Sequence, residues 1–348
     1  MANNGTSHYF HAEAHALSGK LKLPFKEEIK KQAFVKLEGA LAELPDEERA
    51  RRSYFSQHAR NFRLEGIISY TAAHTQVSGH DSDKHEGAAV TLATSVVEGL
   101  NVLNVVTADR VVAQISTTHI PGEHAPYVTF LGTHFENLRI FRHRVVPRLN
   151  LLLCGHAVAP EDRFVQSAGF LKAVRDQHTA LSDSVKGLNA AVENDEKKGQ
   201  RLKDRKLDGL RDLPGLVKRD YDAALLEVNK IKERIVAAEE RVKEAGLEAG
   251  RRVWPGIKCS LVDKVEIEAP SKEQVSDPVR SYGHVIHVPD FGKILLADLT
   301  VNHNSFHLTM IRLEMGCVAA GSLSLAAANV NGKGGSGGGG GTGTKPSG

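Results

Sequence analysis

Residues 171–192 read LKAVRDQHTALSDSVKGLNAAV, and their rhythm decides how the rest of the chain is divided. Apolar-leaning positions fall at Leu171, Val174, His178, Leu181, Val185, Leu188 and Val192, in steps of three and four. That is the seven-residue cycle of a helix with one sticky stripe. A second series, Tyr221, Ala224, Val228, Ile231, Ile235, Ala238, Val242 and Ala245, repeats it. Two such helices joined by a linker that Pro214-Gly215 breaks pack most simply as an antiparallel hairpin. The heptads favour a projecting coiled coil over a pair lying flat on a sheet. Leu171, Val174, Leu181, Val185, Leu188, Val228, Ile231, Ile235 and Val242 are then the candidate interaction residues. Trp254-Pro255-Gly256 ends the second helix.

Outward from this insert the period changes to two. Before it, Tyr9–Leu23, Ala33–Leu41, Phe62–Tyr70, Val90–Val97, Val102–Thr117, Tyr127–Leu131, Phe135–Phe141 and Val145–Leu153 carry the Val, Ile, Thr, Phe and Tyr that suit a pleated surface. Ser78-Gly79-His80-Asp81, Ile120-Pro121-Gly122 and Arg142-His143-Arg144 read as turns. After the insert, Ile257–Ile267, His284–Val288, Lys293–Val301 and Phe306–Met315 read as strands. In the last of these Thr309, Ile311, Leu313 and Met315 share one face and Phe306, Leu308 and Met310 the other, which predicts a strand buried on both sides. The expected fold is therefore mainly β, an antiparallel sandwich or barrel, with an inserted α-helical coiled-coil hairpin. Residues 1–160 and 256–331 would complete one core, since about 75 residues are marginal as a separate domain. Residues 165–255 form the insertion. Residues 332–348, ten of them Gly, form a tail that buries nothing.

Composition narrows the function classes. The chain has 348 residues, 41% hydrophobic and 25% charged, with a formal net charge of +3. So even a balance argues against a dedicated nucleic-acid binder. The one basic concentration is Lys197–Arg211, KKGQRLKDRKLDGLR, which holds no aromatic residue for base stacking and reads as a solvated linker. No apolar run reaches the length of a membrane-spanning helix, and no secretory signal pattern opens the chain, so the expected compartment is the cytoplasm. Three cysteines make no disulfide framework. Nucleophile-elbow, zincin, Cys-x-x-Cys, phosphate-loop and dinucleotide motifs are all missing.

What stands out is 17 His. His11, Glu13 and His15 leave the same face of a strand at successive period-two steps, and two imidazoles with a carboxylate suit a divalent metal such as zinc or non-haem iron. Alternate strand residues stand about 6.5–7 Å apart, so the outer two need a ligand from another strand, His303 or His307. The segment His80–Glu86 is polar but lacks the Gly and Glu of a calcium loop.

Three phrases also resemble those of a group of uncharacterised bacterial β-rich proteins: LATSVVEGLNVLNVVTADRVVAQIST (Leu92–Thr117), VTFLGTHFENLRI (Val128–Ile140) and GHVIHVPDFGKILLADL (Gly283–Leu299). The resemblance covers both β blocks and little of the insert. It implies that the β blocks form one recurring module, and it carries no activity, cofactor or catalytic residue. The expected function is a structural or interaction protein, a β scaffold presenting a helical arm to a second copy or a protein partner. The alternative is a metal-dependent enzyme or small-ligand binder, with His11, Glu13, His15, His303 and His307 converging inside a barrel.

Overall fold

In a computed structural model, residues 8–40, 44–82, 87–123, 125–141, 143–155, 167–204, 256–268, 279–288, 291–302, 305–316 and 319–331 are described, with eight positions between 222 and 236. Chain order runs β1 (Tyr9–Leu23), β2 (Glu27–Gln32), β3 (Val35–Ala40), α1 (Asp46–Arg52), β4 (Tyr54–Leu64), β5 (Ile68–Asp81), β6 (Ala89–Val102) and β7 (Val106–His119). Then follow β8 (Tyr127–Thr129), β9 (His134–Glu136), β10 (Arg139–Ile140), β11 (His143–Leu149) and α2 (Ala168–Asp204). The chain closes with β12 (Ile257–Ser260), β13 (Val262–Glu268), β14 (Arg280–Tyr282), β15 (Val285–Val288), β16 (Gly292–Val301), β17 (Ser305–Gly316) and β18 (Ala320–Asn331).

The strands make two antiparallel sheets of nine. The first runs β14-β15-β16-β17-β18-β1-β2, with β12 beside β16 and β3 beside β1. The second runs β13-β11-β10-β7-β6-β5-β4, with β8 and β9 beside β7. Neither closes on itself, so the barrel is excluded and a sandwich-like pair of layers stands. β1 and β18 pack across β5, β6 and β7. Strands from both sides of the insert meet here: β18 zips along β1 from Ala12↔Val330 to Leu23↔Ala320. β12 lies in the first sheet and β13 in the second, so the chain changes layer at Leu261.

Each long strand inverts its facing once, and the inversions line up. In β1, Phe10, Ala12 and Ala14 are buried, and beyond Ala16 the buried positions are Leu17 and Leu21. In β17 Phe306 and Leu308 are buried, and then Ile311, Leu313 and Met315. In β6 Ala93 and Val97 give way to Leu100 and Val102. The register places Ala16, Ala326, Met310 and Ala297 in one transverse row of the first sheet. Asn61, Thr71, Gly99 and Asp109 form the matching row of the second. In both rows the odd backbone sits on alternate strands: φ is +46° at Ala297 and +48° at Ala326, +53° at Asn61 and +60° at Gly99. A left-handed residue makes the chain skip one pleat, so the strand continues with its side chains exchanged between faces. This corrects the reading of Phe306–Met315. It is not a strand buried on both sides; the apolar positions before and after Met310 face the same core.

Skipping a pleat leaves carbonyls beside the row without a ladder partner, and a buried orphan is costly. They are met across the sandwich. Ser95 Oγ donates to the His15 carbonyl at 2.9 Å, and Thr75 Oγ1 to the Ala33 carbonyl at 2.5 Å. Ser95 and Thr75 are both fully buried. Ser95→Ala should therefore lower stability by about 1–3 kcal/mol, the cost of stranding a buried acceptor. Urea unfolding at neutral pH measures it, with an unchanged slope expected.

Other sequence expectations shift locally. Phe62–Tyr70 is not one strand but the end of β4, a turn and the start of β5. Phe62 opposes Tyr70 across the hairpin, their rings stacked 5.2 Å apart, so the period-two face survives the turn. Ser78-Gly79-His80-Asp81 lies inside β5 rather than in a turn. α1, β2, β14, β18 and the first half of β4 had no counterpart in the sequence reading.

Candidate functional site

α2 enters the body at its N-terminal half. Phe170 and Val174 belong to the hydrophobic core. Leu171 is half-buried against it. Leu181 and Val185 are buried too. Leu181 comes close enough to the β14–β15 turn that a Cβ on Gly283 would lie 3.6 Å from its Cδ1. Between these apolar positions Gln177 grips the backbone of β12. Its Nε2 donates to the Ser260 carbonyl at 2.6 Å, and its Oε1 accepts from the Ser260 N–H at 3.2 Å. Ser260 in turn donates from Oγ to the Leu296 carbonyl and accepts from the Val262 N–H. The helix is thus pinned where the chain changes layer.

This placement corrects one expectation. At Val174 and Leu181 the heptad stripe lies flat on the β body instead of facing a second helix. A helix over a sheet needs an apolar stripe of the same spacing, so the pattern alone does not name the partner surface. The Leu188 side chain, and Val228, Ile231, Ile235 and Val242, lie outside the described residues. So do 205–221, which hold the part of the basic segment that follows Asp204. Helical positions recur at 222, 225, 226, 229, 230, 232, 233 and 236, where Leu226 and Val236 are exposed.

The histidine group lies on the outward face of the first sheet, opposite the face that Phe10, Ala12 and Ala14 turn to the core. His11, Glu13 and His15 share that face, as their spacing predicts. β18 then intervenes: Asn329 pairs with both Glu13 and His307, so His307 stands two strands away. Glu13 is already engaged by two cations, with Lys31 Nζ at 3.0 Å and Lys36 Nζ at 3.8 Å, and His11 Nε2 lies 3.7 Å away. His15 is buried beside Ser18, its Nε2 2.9 Å from Oγ. Burial, helped by the nearby charges of Lys31 and His307, pushes its pKa down to about 4. Burial also lowers His307, against the pull of Asp298. Arg312 Nη1 meets Asp298 Oδ2 at 2.7 Å. Among the described residues no three His, Cys, Asp or Glu side chains are placed to hold a metal ion. His303 lies outside them. With the sheets open and these residues outward, they do not converge in a barrel interior. The patch is a self-neutralising array in which ammonium and guanidinium groups take the carboxylates that a cation would need.

The described cysteines are free and buried. Burial raises the pKa of Cys154 and of Cys259 far above the ordinary thiol value. A thiol that cannot ionise does not attack. In a Cys317→Ser background both should be unreactive to an aromatic disulfide reagent in the native state and react fully in denaturant. Prompt native labelling would contradict the burial.

A two-layer antiparallel β protein with a long helix pinned at the layer crossing is the class that fold and site define. The chain belongs to the family described as a domain of unknown function, DUF8256, whose model matches residues 8–302. The match runs from the start of β1 to the end of β16. No curated protein and no solved structure matches the chain. No described helix is long and apolar enough to cross a membrane.

Proposed function

We propose that the protein is a structural or interaction protein in which the β sandwich holds a helical arm for a protein partner or a second copy. The observation that carries this reading is that α2 is rooted in the β body and runs on as helix to Asp204. It is 37 residues long, about 55 Å of helix at 1.5 Å per residue. Among its described side chains, Phe170, Val174, Gln177 and Leu181 fix it to the body. In this reading the second half, with the series from Tyr221 to Ala245 folded back along it, forms the coiled-coil arm. A firmly rooted helix that continues beyond its root is suited to presenting a surface at a fixed angle.

The test shortens the arm without uncovering the core. Removal of the whole of 165–255 would strip Phe170 and Val174 from the sandwich. Replacing 190–250 by a short Gly-Ser linker keeps the root. Light scattering on full-length and shortened protein, with cross-linking, should show a larger assembly for the full chain. Identical masses and cross-links would overturn the role of the arm.

A further inference from the structure

We propose that β4 is a dimerisation edge, along which two copies pair antiparallel about a two-fold axis at Gln57, joining their second sheets. The inference deepens the interaction reading by naming a second copy as the partner, and it uses a surface other than the arm.

β4 is the terminal strand of its sheet and pairs only with β5 among the described residues. The Ser53 carbonyl accepts from the Gly79 N–H at 2.8 Å, which fixes the direction of the strand's backbone groups. Alternate residues of an antiparallel strand send their N–H and C=O to opposite neighbours. Phe55, Gln57 and Ala59 therefore address β5, and Tyr54, Ser56, His58 and Arg60 address the open side. Such a row of unpaired groups templates another strand unless something guards it.

The other long edges are guarded by charge and, among the described residues, this one is not. β2, EEIKKQ, carries Glu27, Glu28, Lys30 and Lys31, and β13, VDKVEIE, carries Asp263, Lys264, Glu266 and Glu268. From Tyr54 to Arg60 there is no Pro, Lys, Asp or Glu, and the only fixed charge is Arg60. Tyr54 is 48% exposed and Phe55 39%. The left-handed Asn61 ends this regular run.

The run is complementary to itself in one register. With the axis at Gln57, Ser56 opposes the second copy's His58 and Tyr54 opposes its Arg60, so every outward-facing residue meets another. No cation meets a cation. Arg60 lies over a tyrosine ring, Ser56 beside an imidazole, Phe55 beside Ala59, and the two Gln57 amides meet on the axis. Cross-strand pairs of these kinds stabilise a sheet. Shifting the axis by one residue sets His58 against itself and leaves Tyr54 opposite Phe62, beyond the left-handed residue.

Light scattering on the full chain should give at least twice 37.7 kDa. Gln57 is exposed, so its replacement leaves the sandwich intact. Gln57→Lys places like charges on the axis and should halve that mass. Gln57→Glu should do the same, and a mixture of the two should restore the doubled mass. Gln57→Cys should give a disulfide-linked dimer on oxidation, since residues opposite one another at such a site stand about 4.5 Å apart at Cα. A single-chain mass at the highest soluble concentration, or a mass that Gln57→Lys leaves unchanged, overturns the proposal. The arm-shortened protein separates the two readings: it should keep this dimer and lose it on Gln57→Lys.

Discussion

Gly99→Val is expected to cost about 3–5 kcal/mol of folding stability, combining the penalty of a β-branched residue in the left-handed region with overpacking. Gly99 sits at φ +60° in the transverse row of the second sheet. A Cβ there would lie 2.5 Å from Thr71 Oγ1 and 2.7 Å from its Cγ2. Thr71 is itself held, with its Oγ1 donating to the Glu98 carbonyl at 2.9 Å, so it cannot withdraw freely. Regaining ordinary strand geometry at this position would undo the exchange of faces. Leu100 and Val102 would then turn outward, or Ala93 and Val97 would. The same row offers a control: Asn61, at φ +53°, is exposed, and Asn61→Gly should change stability by less than about 1 kcal/mol. Urea midpoints of the two variants at neutral pH decide the matter. Equal, small effects would mean that the row tolerates ordinary strand backbone.

That row also explains what the sequence did and did not disclose. Tyr9–Leu23 emerges with the bounds the alternation suggests, because most of its residues are held on two sides. The alternation in β17 is equally plain, yet by itself it points to the wrong faces. A period-two pattern records parity, and one left-handed alanine on each neighbouring strand reverses parity without leaving a Gly or Pro to announce it. β18, AGSLSLAAANVN, is the central partner of both β1 and β17, yet its small residues lack the bulk that marks a strand. The first half of β4 escaped for the opposite reason: exposed on both faces, it needs no alternation. The helix of residues 171–192 was legible, but its partner was not, since a sheet and a second helix ask for much the same stripe. At the histidine patch the spacing correctly put His11, Glu13 and His15 on one face. The cations that satisfy Glu13 come from β2 and β3, and only the pairing of those strands with β1 brings them there.

Acid should destabilise the fold well before the carboxylates titrate. His8 and His15 are both pushed from the ordinary 6.5 down to about 4, chiefly by burial. Asp81 opposes this shift at His8, where the His119 ring also packs 4.8 Å away; at His15 Lys31 and His307 reinforce it and Glu13 opposes it. A group whose folded pKa lies below its unfolded one binds its proton more weakly in the native state. The stability it contributes is complete above about pH 6.5 and drains as pH falls through the window toward 4. At 1.36 kcal/mol per unit, each histidine accounts for about 3 kcal/mol at most. His74 and His307, also lowered, add to the same loss. Urea midpoints followed from pH 7.5 to 4.5 should fall steeply with uptake of about two protons on unfolding. His15→Gln, which retains a polar group toward Ser18, should remove close to half of that slope while leaving the transition at pH 7.5 within about 1–2 kcal/mol of the parent. A midpoint that holds constant across this window would mean that His15 reaches its proton from solvent. The outward sheet face would then be an open polar surface and not the packed array described above.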